Sequence, residues 1–236
     1  MAISQKYGRT YHYPFSPGTT SDDRIHFDYW QHLSAIPELV HTEKLDGENN
    51  CLSRWGVFAR SHAAPTVSPW TESLRRYWQL IKNDLGTLEV FLENLYAIHS
   101  IEYRHLPHHF YVFAVRDNGY WLSWEETKFY AAMLDLPVVP EINVFTLPAR
   151  KEIFEQEVLS IVSGNGSLHP FDTITGKPSI MEGIVTRNTA GYAAEDFANN
   201  VFKYVRKGHV KTDAHWTRNW KRAGLLNEGG SYVDYQ

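Results

Sequence analysis

Only one cysteine, Cys51, occurs in 236 residues. No intramolecular disulfide can form, so the chain reads as an intracellular, cytoplasmic protein. Long hydrophobic runs are missing too. No segment approaches the roughly 20 apolar residues of a membrane span. The opening Met1-Ala2-Ile3-Ser4-Gln5-Lys6 has no apolar signal segment. Positive charge is not in excess: the net charge of -4 excludes a generally basic nucleic-acid coat, though not a local basic face. The twelve histidines are scattered, and the His108-His109 pair has no third ligand at zinc-site spacing. There is no internal repeat, low-complexity tract or convincing linker.

What is present suits one large domain. Hydrophobic residues make up 43% of the chain, with eight Trp, fourteen Tyr and twelve Phe for a core and for stacking surfaces. Residues 1–35 are rich in aromatics, Gly and Pro and read as an irregular arm ending in a helix from Phe27 to Ile36. Strands are expected at Leu39–Glu43, through a hairpin over Asn50–Ala59, and at Leu88–Tyr96. Phe110–Val115 should turn at Asp117-Asn118-Gly119 into Tyr120-Trp121-Leu122, because Asn-Gly is a hairpin signal. Ser68-Pro69 opens a helix through Ile81, where apolar residues recur at helical spacing. Ser123 with Glu126 forms a capping box for a helix to about Leu134. Further expectations are a strand at Val138–Ile142, a helix from Thr146-Leu147-Pro148 through Val158, strands at Met181–Arg187 and Val201–Val205, and a closing helix over Asp213–Lys221. Strands outnumber a regular βαβ rhythm, which favours α+β over doubly wound α/β.

Lys44-Leu45-Asp46-Gly47 is the stretch with most chemical content. It follows a strand, so a lysine amine can be presented in a nucleotide pocket. Three other strands carry a polar group at a set place: Phe91-Leu92-Glu93, Met181-Glu182-Gly183-Ile184-Val185, and Phe202-Lys203-Tyr204-Val205. Together they supply a candidate nucleophile, two carboxylates and a second cation, the set that covalent nucleotidyl transfer needs. A free lysine near pKa 10.4 is mostly protonated at neutral pH. Neighbouring cations, Lys203 and the metal among them, should lower the Lys44 pKa.

In the order and spacing of these motifs, from about Glu43 to Lys207, the chain resembles the nucleotidyltransferase domain of ATP-dependent polynucleotide ligases. The group it most resembles is the RNA ligases typified by the second RNA ligase of phage T4. The resemblance implies an α+β nucleotidyltransferase fold with antiparallel sheets, ATP as nucleotide, and Mg²⁺ with Mn²⁺ as a substitute. It implies RNA with 5′-phosphate and 3′-hydroxyl ends as the partner. Lys44 matches the adenylylated lysine, and Glu43 a residue reading the adenine edge. Asp46 and Gly47 complete the nucleophile motif, and Asn49 matches a polar residue of the sealing site. Arg60, with Arg54 as second choice, matches the arginine at ribose or phosphate, Glu93 the acid near the ribose, and Phe113 the aromatic that stacks on adenine. Glu182 matches the carboxylate tied to the metal, and Lys203 a lysine of the last motif.

That last motif departs from the family pattern of Lys-x-Lys: Val201 and Val205 flank Lys203 at two residues' distance. Arg206 or Lys207 are the candidates for the missing charge. The domain expectation is a single nucleotidyltransferase domain over 1–236, with 1–35 an arm, 208–236 a short helical tail and no OB domain, so that a partner protein is one way to complete substrate engagement. The basic cluster from Arg206 to Arg222 reads either as a solvated face or as a phosphate-backbone track. DNA ligases, guanylyltransferases of the capping type and catalytically weak end-binding proteins are the alternatives.

Overall fold

A computed structural model describes residues 6–208, 217 and 219–228. The elements in chain order are β1 (Tyr11–His12), α1 (Tyr29–Ser34), β2 (Leu39–Lys44), β3 (Glu48–Ser53), β4 (Gly56–Ala59), α2 (Glu72–Ile81), β5 (Leu88–Asn94) and β6 (Ile101–Tyr103). Then follow β7 (Phe110–Asp117), β8 (Tyr120–Trp121), α3 (Trp124–Met133), β9 (Glu141–Phe145), α4 (Lys151–Val162), β10 (Pro170–Asp172), β11 (Gly183–Asn188), β12 (Tyr192–Ala193), α5 (Phe197–Asn200) and β13 (Val201–Val205). Among the described residues, no helix is long and apolar enough to cross a membrane.

Two sheets carry the fold. One has the order β1-β13-β11-β2-β9, the other β12-β8-β7-β5-β3-β4, and β10 and β6 form a small ribbon. All ladders are antiparallel except β1 with β13. The α+β expectation with antiparallel sheets flanked by helices therefore holds. The alternation along β5 shows how the layers form: Val90 and Leu92 pack in one cluster with Leu74 of α2 and Ala131 of α3, whereas Phe91 points the other way, into a cluster with Val40, Phe113 and Val201. That second cluster joins the two sheets. A third cluster packs α4 (Phe154, Val158, Val162) on Leu39, Ile184 and Phe202. Each such fully buried side chain stabilises by about 1.5–3 kcal/mol.

Local signals behave as their chemistry requires. Asn118 and Gly119 have φ of 46° and 81°, the two left-handed residues of a type I′ hairpin turn. Ser123 and Glu126 cap α3 reciprocally. Three expectations shift. Val138 and Val139 bond to the other sheet instead: the Val139 amide donates to the Val112 carbonyl at 2.9 Å, and the chain meets β2 only from Pro140, whose carbonyl accepts from the Glu43 amide at 2.9 Å, before it pairs as β9. The helix expected from Thr146 begins at Lys151, because Arg150 is still extended, and runs on to Val162. The strand expected from Met181 begins at Gly183. The closing helix expected over Asp213–Lys221 lies mostly outside the described residues. Trp220 within it packs its ring 6.2 Å from Trp70 and 6.0 Å from Tyr96.

Candidate active site

The central strands of the first sheet bring Lys44 and Glu182 together. In the β2–β11 ladder Gly183 is opposite Lys44, so Glu182 emerges beside the lysine's side chain. Lys44 Nζ donates to both carboxylate oxygens, at 2.7 and 2.8 Å. Glu182 is 3% exposed. Burial alone would push the Lys44 ammonium down, but Glu182, Glu93 and Asp46 together raise its pKa above the ordinary lysine value. Lys203 thus does not bring the Lys44 pKa down as expected, because the charge in contact with the amine is the Glu182 carboxylate. Lys203 is the lysine whose pKa falls, through burial first and then the charge of Lys44.

Lys203 comes one strand further across, opposite Val185 in the β11–β13 ladder. Its ammonium lies 3.3 Å from Asp23 Oδ1. Neither candidate for the missing second lysine simply replaces it. The Arg206 guanidinium donates to the Met181 carbonyl at 3.1 Å and the Ser179 hydroxyl at 2.9 Å, and Lys207 is exposed. Of the basic cluster, His209, Lys211, Trp216 and Arg218 lie outside the described residues.

The second sheet supplies the opposite wall. Asn49 pairs with Glu93 in the β3–β5 ladder. The Gly47 amide donates to Glu93 Oε1 at 2.9 Å, and a Cβ on Gly47 would sit 2.6 Å from the Asn94 carbonyl oxygen. That close approach demands glycine. Glu93 is pushed up to about 8, by burial above all and with Glu182 adding to it, against the pull of Lys44. Asp46 turns the other way. Its Oδ2 accepts from the Ser100 and Ile101 amides, both at 2.9 Å, while its own amide donates to the Tyr103 hydroxyl at 2.8 Å. It fastens the loop after Lys44 to β6.

Between these walls lies a cavity of about 490 Å³ lined by Glu43, Lys44, Gly47, Asn49, Arg60, Glu93, Phe113 and Lys203, eight of the ten residues picked out by motif. Asp46 and Glu182 are not in the lining; Glu182 reaches the site through its bond to Lys44. Among the described residues of the lining, Glu43 Oε1, Asn49 Oδ1 and Arg187 Nε are buried polar atoms without a hydrogen-bond partner. An unsatisfied buried group costs about 1–3 kcal/mol, so the lining is matched to a ligand with both donors and acceptors. Glu43 holds its place through Oε2, which accepts from the Ser167 amide at 2.8 Å, and burial raises its pKa. Phe113 is 7% exposed, and the Tyr7 ring meets it edge-on at 5.0 Å.

Motif reading missed Tyr7, Thr10, Val185 and Arg187 in the lining. Arg187 is the most consequential. It is 7% exposed, donates to the Phe113 carbonyl and, at 3.3 Å, to Thr42 Oγ1. The signal for it was present: Val185 and Arg187 share one face of β11 by strand alternation. Tyr7 and Thr10 come from the arm and had no motif to announce them.

Among the described residues, no group of three or more His, Cys, Asp or Glu could hold a metal unaided. A divalent ion that completes its shell with nucleotide phosphates and water needs only one protein carboxylate, and Glu182, whose two oxygens here accept from Lys44, is the candidate for it.

The RNA ligase family model matches residues 37–205. A comparison with curated protein sequences returns no match. Among solved structures, an RNA ligase from Naegleria gruberi superposes with a TM-score of 0.56 at 15% identity, covering 86% of this chain and 55% of that one. The same organism's ligase solved with ATP and Mn gives 0.54 at 16% identity, over 84% and 58%. An archaeal ATP-dependent RNA ligase gives 0.52 at 15% identity, over 86% and 48%. The present chain thus spans about half the length of these structures and shares their fold. With a family match running from just before β2 to the end of β13 and enclosing the whole Lys44–Glu182–Lys203 arrangement, the chain belongs to the RNA ligase family.

Proposed function

We propose that this protein is an ATP-dependent RNA ligase, of the group resembling the second RNA ligase of phage T4, and that Lys44 is its nucleophile. The observation that carries the reading is the Lys44 amine, bonded to Glu182 at 2.7 Å on the lining of a cavity that also holds Glu93, Arg60 and Lys203. The family match and the ATP and Mn of a structural relative support the choice of nucleotide and of metal class.

In the first step the neutral Lys44 amine attacks the α-phosphorus of ATP. A P–N bond forms, the bond to the pyrophosphate oxygen breaks, and pyrophosphate leaves. In the second, a 5′-phosphate oxygen of RNA attacks the same phosphorus and the P–N bond breaks. In the third, a 3′-hydroxyl attacks the RNA phosphate, loses its proton and displaces AMP. Lys203 and Arg60 would offset the phosphoryl charge. Glu93 would meet the sugar side, Glu43 and Phe113 the base, and Asn49 would serve the sealing site. A divalent ion held by Glu182 and phosphates would supply Lewis-acid stabilisation of developing charge. Glu182 must release Lys44 for the amine to act, because the ion pair keeps it protonated.

Incubation with α-labelled ATP and Mg²⁺ or Mn²⁺, followed by denaturation, tests this. Label retained by the wild type and lost in Lys44→Ala is expected. Label from GTP alone would redirect the reading to capping-type chemistry. The absence of any label on folded, previously unadenylylated protein would refute it.

A further inference from the structure

We propose that Asp23, on the arm that precedes the family-matched segment, is a positioning residue for Lys203 and so a working part of the ligase site. This rests on the function proposed above.

The arm is built onto the last strand. β1 runs parallel to β13, with His12 opposite Lys203. The Tyr13 amide donates to the Lys203 carbonyl at 3.0 Å and the Gly18 amide to the Val205 carbonyl at 2.9 Å. The Ser16 hydroxyl both accepts from the Val205 amide, at 2.9 Å, and donates to its carbonyl, at 3.2 Å. The backbone on both sides of the Lys203 side chain is therefore held by residues 12–18.

Asp23 divides its two oxygens between the arm and the site. Oδ2 accepts from the amide and hydroxyl of Thr20, both at 3.0 Å, which fixes the carboxylate's direction. Oδ1 faces Lys203 Nζ at 3.3 Å and His12 Nε2 at 3.1 Å. His12 is 1% exposed, with its other ring nitrogen 2.9 Å from Ser16 Oγ. Burial, and then the charge of Lys203, take the His12 pKa down to about 4, so it is neutral at pH 7 and Lys203 is the cation that Asp23 answers.

Lys203 needs such an answer. Burial, the Lys44 ammonium and Arg60 all drive it toward losing its proton, and Asp23 is the carboxylate that opposes them. Where the family pattern supplies two lysines, this chain has one, set between valines. A single cation on a flexible four-carbon stem has to be both charged and aimed to serve a phosphoryl group. Charge-assisted hydrogen bonding to a fixed carboxylate does both.

The test uses the full chain and the substitutions Asp23→Asn and Asp23→Glu. Brief acetylation of the free protein, read by peptide mass spectrometry, reports whether Lys203 is released. Acetylation of Lys203 should rise several-fold in Asp23→Asn, with Lys128 unchanged as an internal reference. In single-turnover labelling, Asp23→Asn should slow AMP transfer to Lys44 by about 10-fold, and Asp23→Glu should recover most of that loss. Unchanged Lys203 acetylation, or an AMP-transfer rate within twofold of wild type, overturns the proposal. Absence of label in the wild type itself would instead refute the ligase reading, while the acetylation result would still decide whether Asp23 holds Lys203.

Discussion

Glu93→Gln should make the nucleotide-free protein more stable at alkaline pH and leave it unchanged at acid pH. Burial pushes the Glu93 carboxyl from an ordinary 4.5 up to about 8. Between those values the folded protein keeps a proton that the unfolded chain has released. Stability therefore declines as pH rises through this window. A shift of that size is worth about 5 kcal/mol at its limit. Glu93 is only partly buried, so solvent screening reduces it, and about 2 kcal/mol is the share expected. Glutamine cannot lose the proton, and its amide oxygen can still accept from the Gly47 amide. Urea unfolding in EDTA at half-unit steps from pH 5 to 8.5 measures the difference. The variant and wild type should agree near pH 5 and separate steadily, with the variant ahead by about 2 kcal/mol at pH 8.5. A constant deficit in the variant at every pH would refute the reasoning. It would mean that Glu93 is ionised throughout and stabilised by its pairing with Lys44. The same substitution should slow AMP transfer, the usual tension between a stable site and a working one.

Two further outcomes follow from the same geometry. Glu182→Gln removes the foremost carboxylate raising the Lys44 pKa, so the pH at which AMP transfer sets in should move to lower pH even as the maximal rate falls; an unmoved onset in a pH–rate profile would show that Glu182 does not control the lysine's proton. Gly183→Ala would place a Cβ 1.9 Å from the Tyr204 carbonyl oxygen, forcing β11 from β13, and a loss of at least about 3 kcal/mol in thermal or urea unfolding is expected.

Much of the fold was legible because local chemistry and tertiary context agree. β5 alternates between two apolar clusters, the 117–120 turn has the Asn-Gly pair that a type I′ geometry demands, and α3 begins where its capping box says. The misplaced β9 shows the converse. Val138 and Val139 are strand formers, and they do bond to a strand, but to β7 of the other sheet. Pro140 then marks the crossing into an edge strand that is mostly solvent-facing and so carries little hydrophobic pattern. In the site, residues on consecutive motifs were readable, and eight of ten converge on one cavity. What was not readable depends on contacts far apart in sequence. Asp46 is drawn away by amides 54 and 55 residues distant. Asp23 meets Lys203 across 180 residues. The direction of the Lys44 pKa depended on which charges actually touch it, and a one-dimensional pattern does not give contact.

The order β1-β13-β11-β2-β9 also bears on how the protein is made. The strand carrying Lys44 is synthesised early, yet its partner toward the sheet's other end, β11, begins at residue 183, and β1 must wait for residues 201–205 to find a neighbour. Pairings of such long sequence separation close slowly and leave strand edges unsatisfied meanwhile. On the ribosome the first 180 residues hold Lys44, the proposed nucleophile, without Glu182 and Lys203. Under the function proposed above, the full set of site residues exists only once almost all of the family-matched segment has emerged, and the vulnerable interval for folding is the time between the appearance of β2 and the arrival of β11.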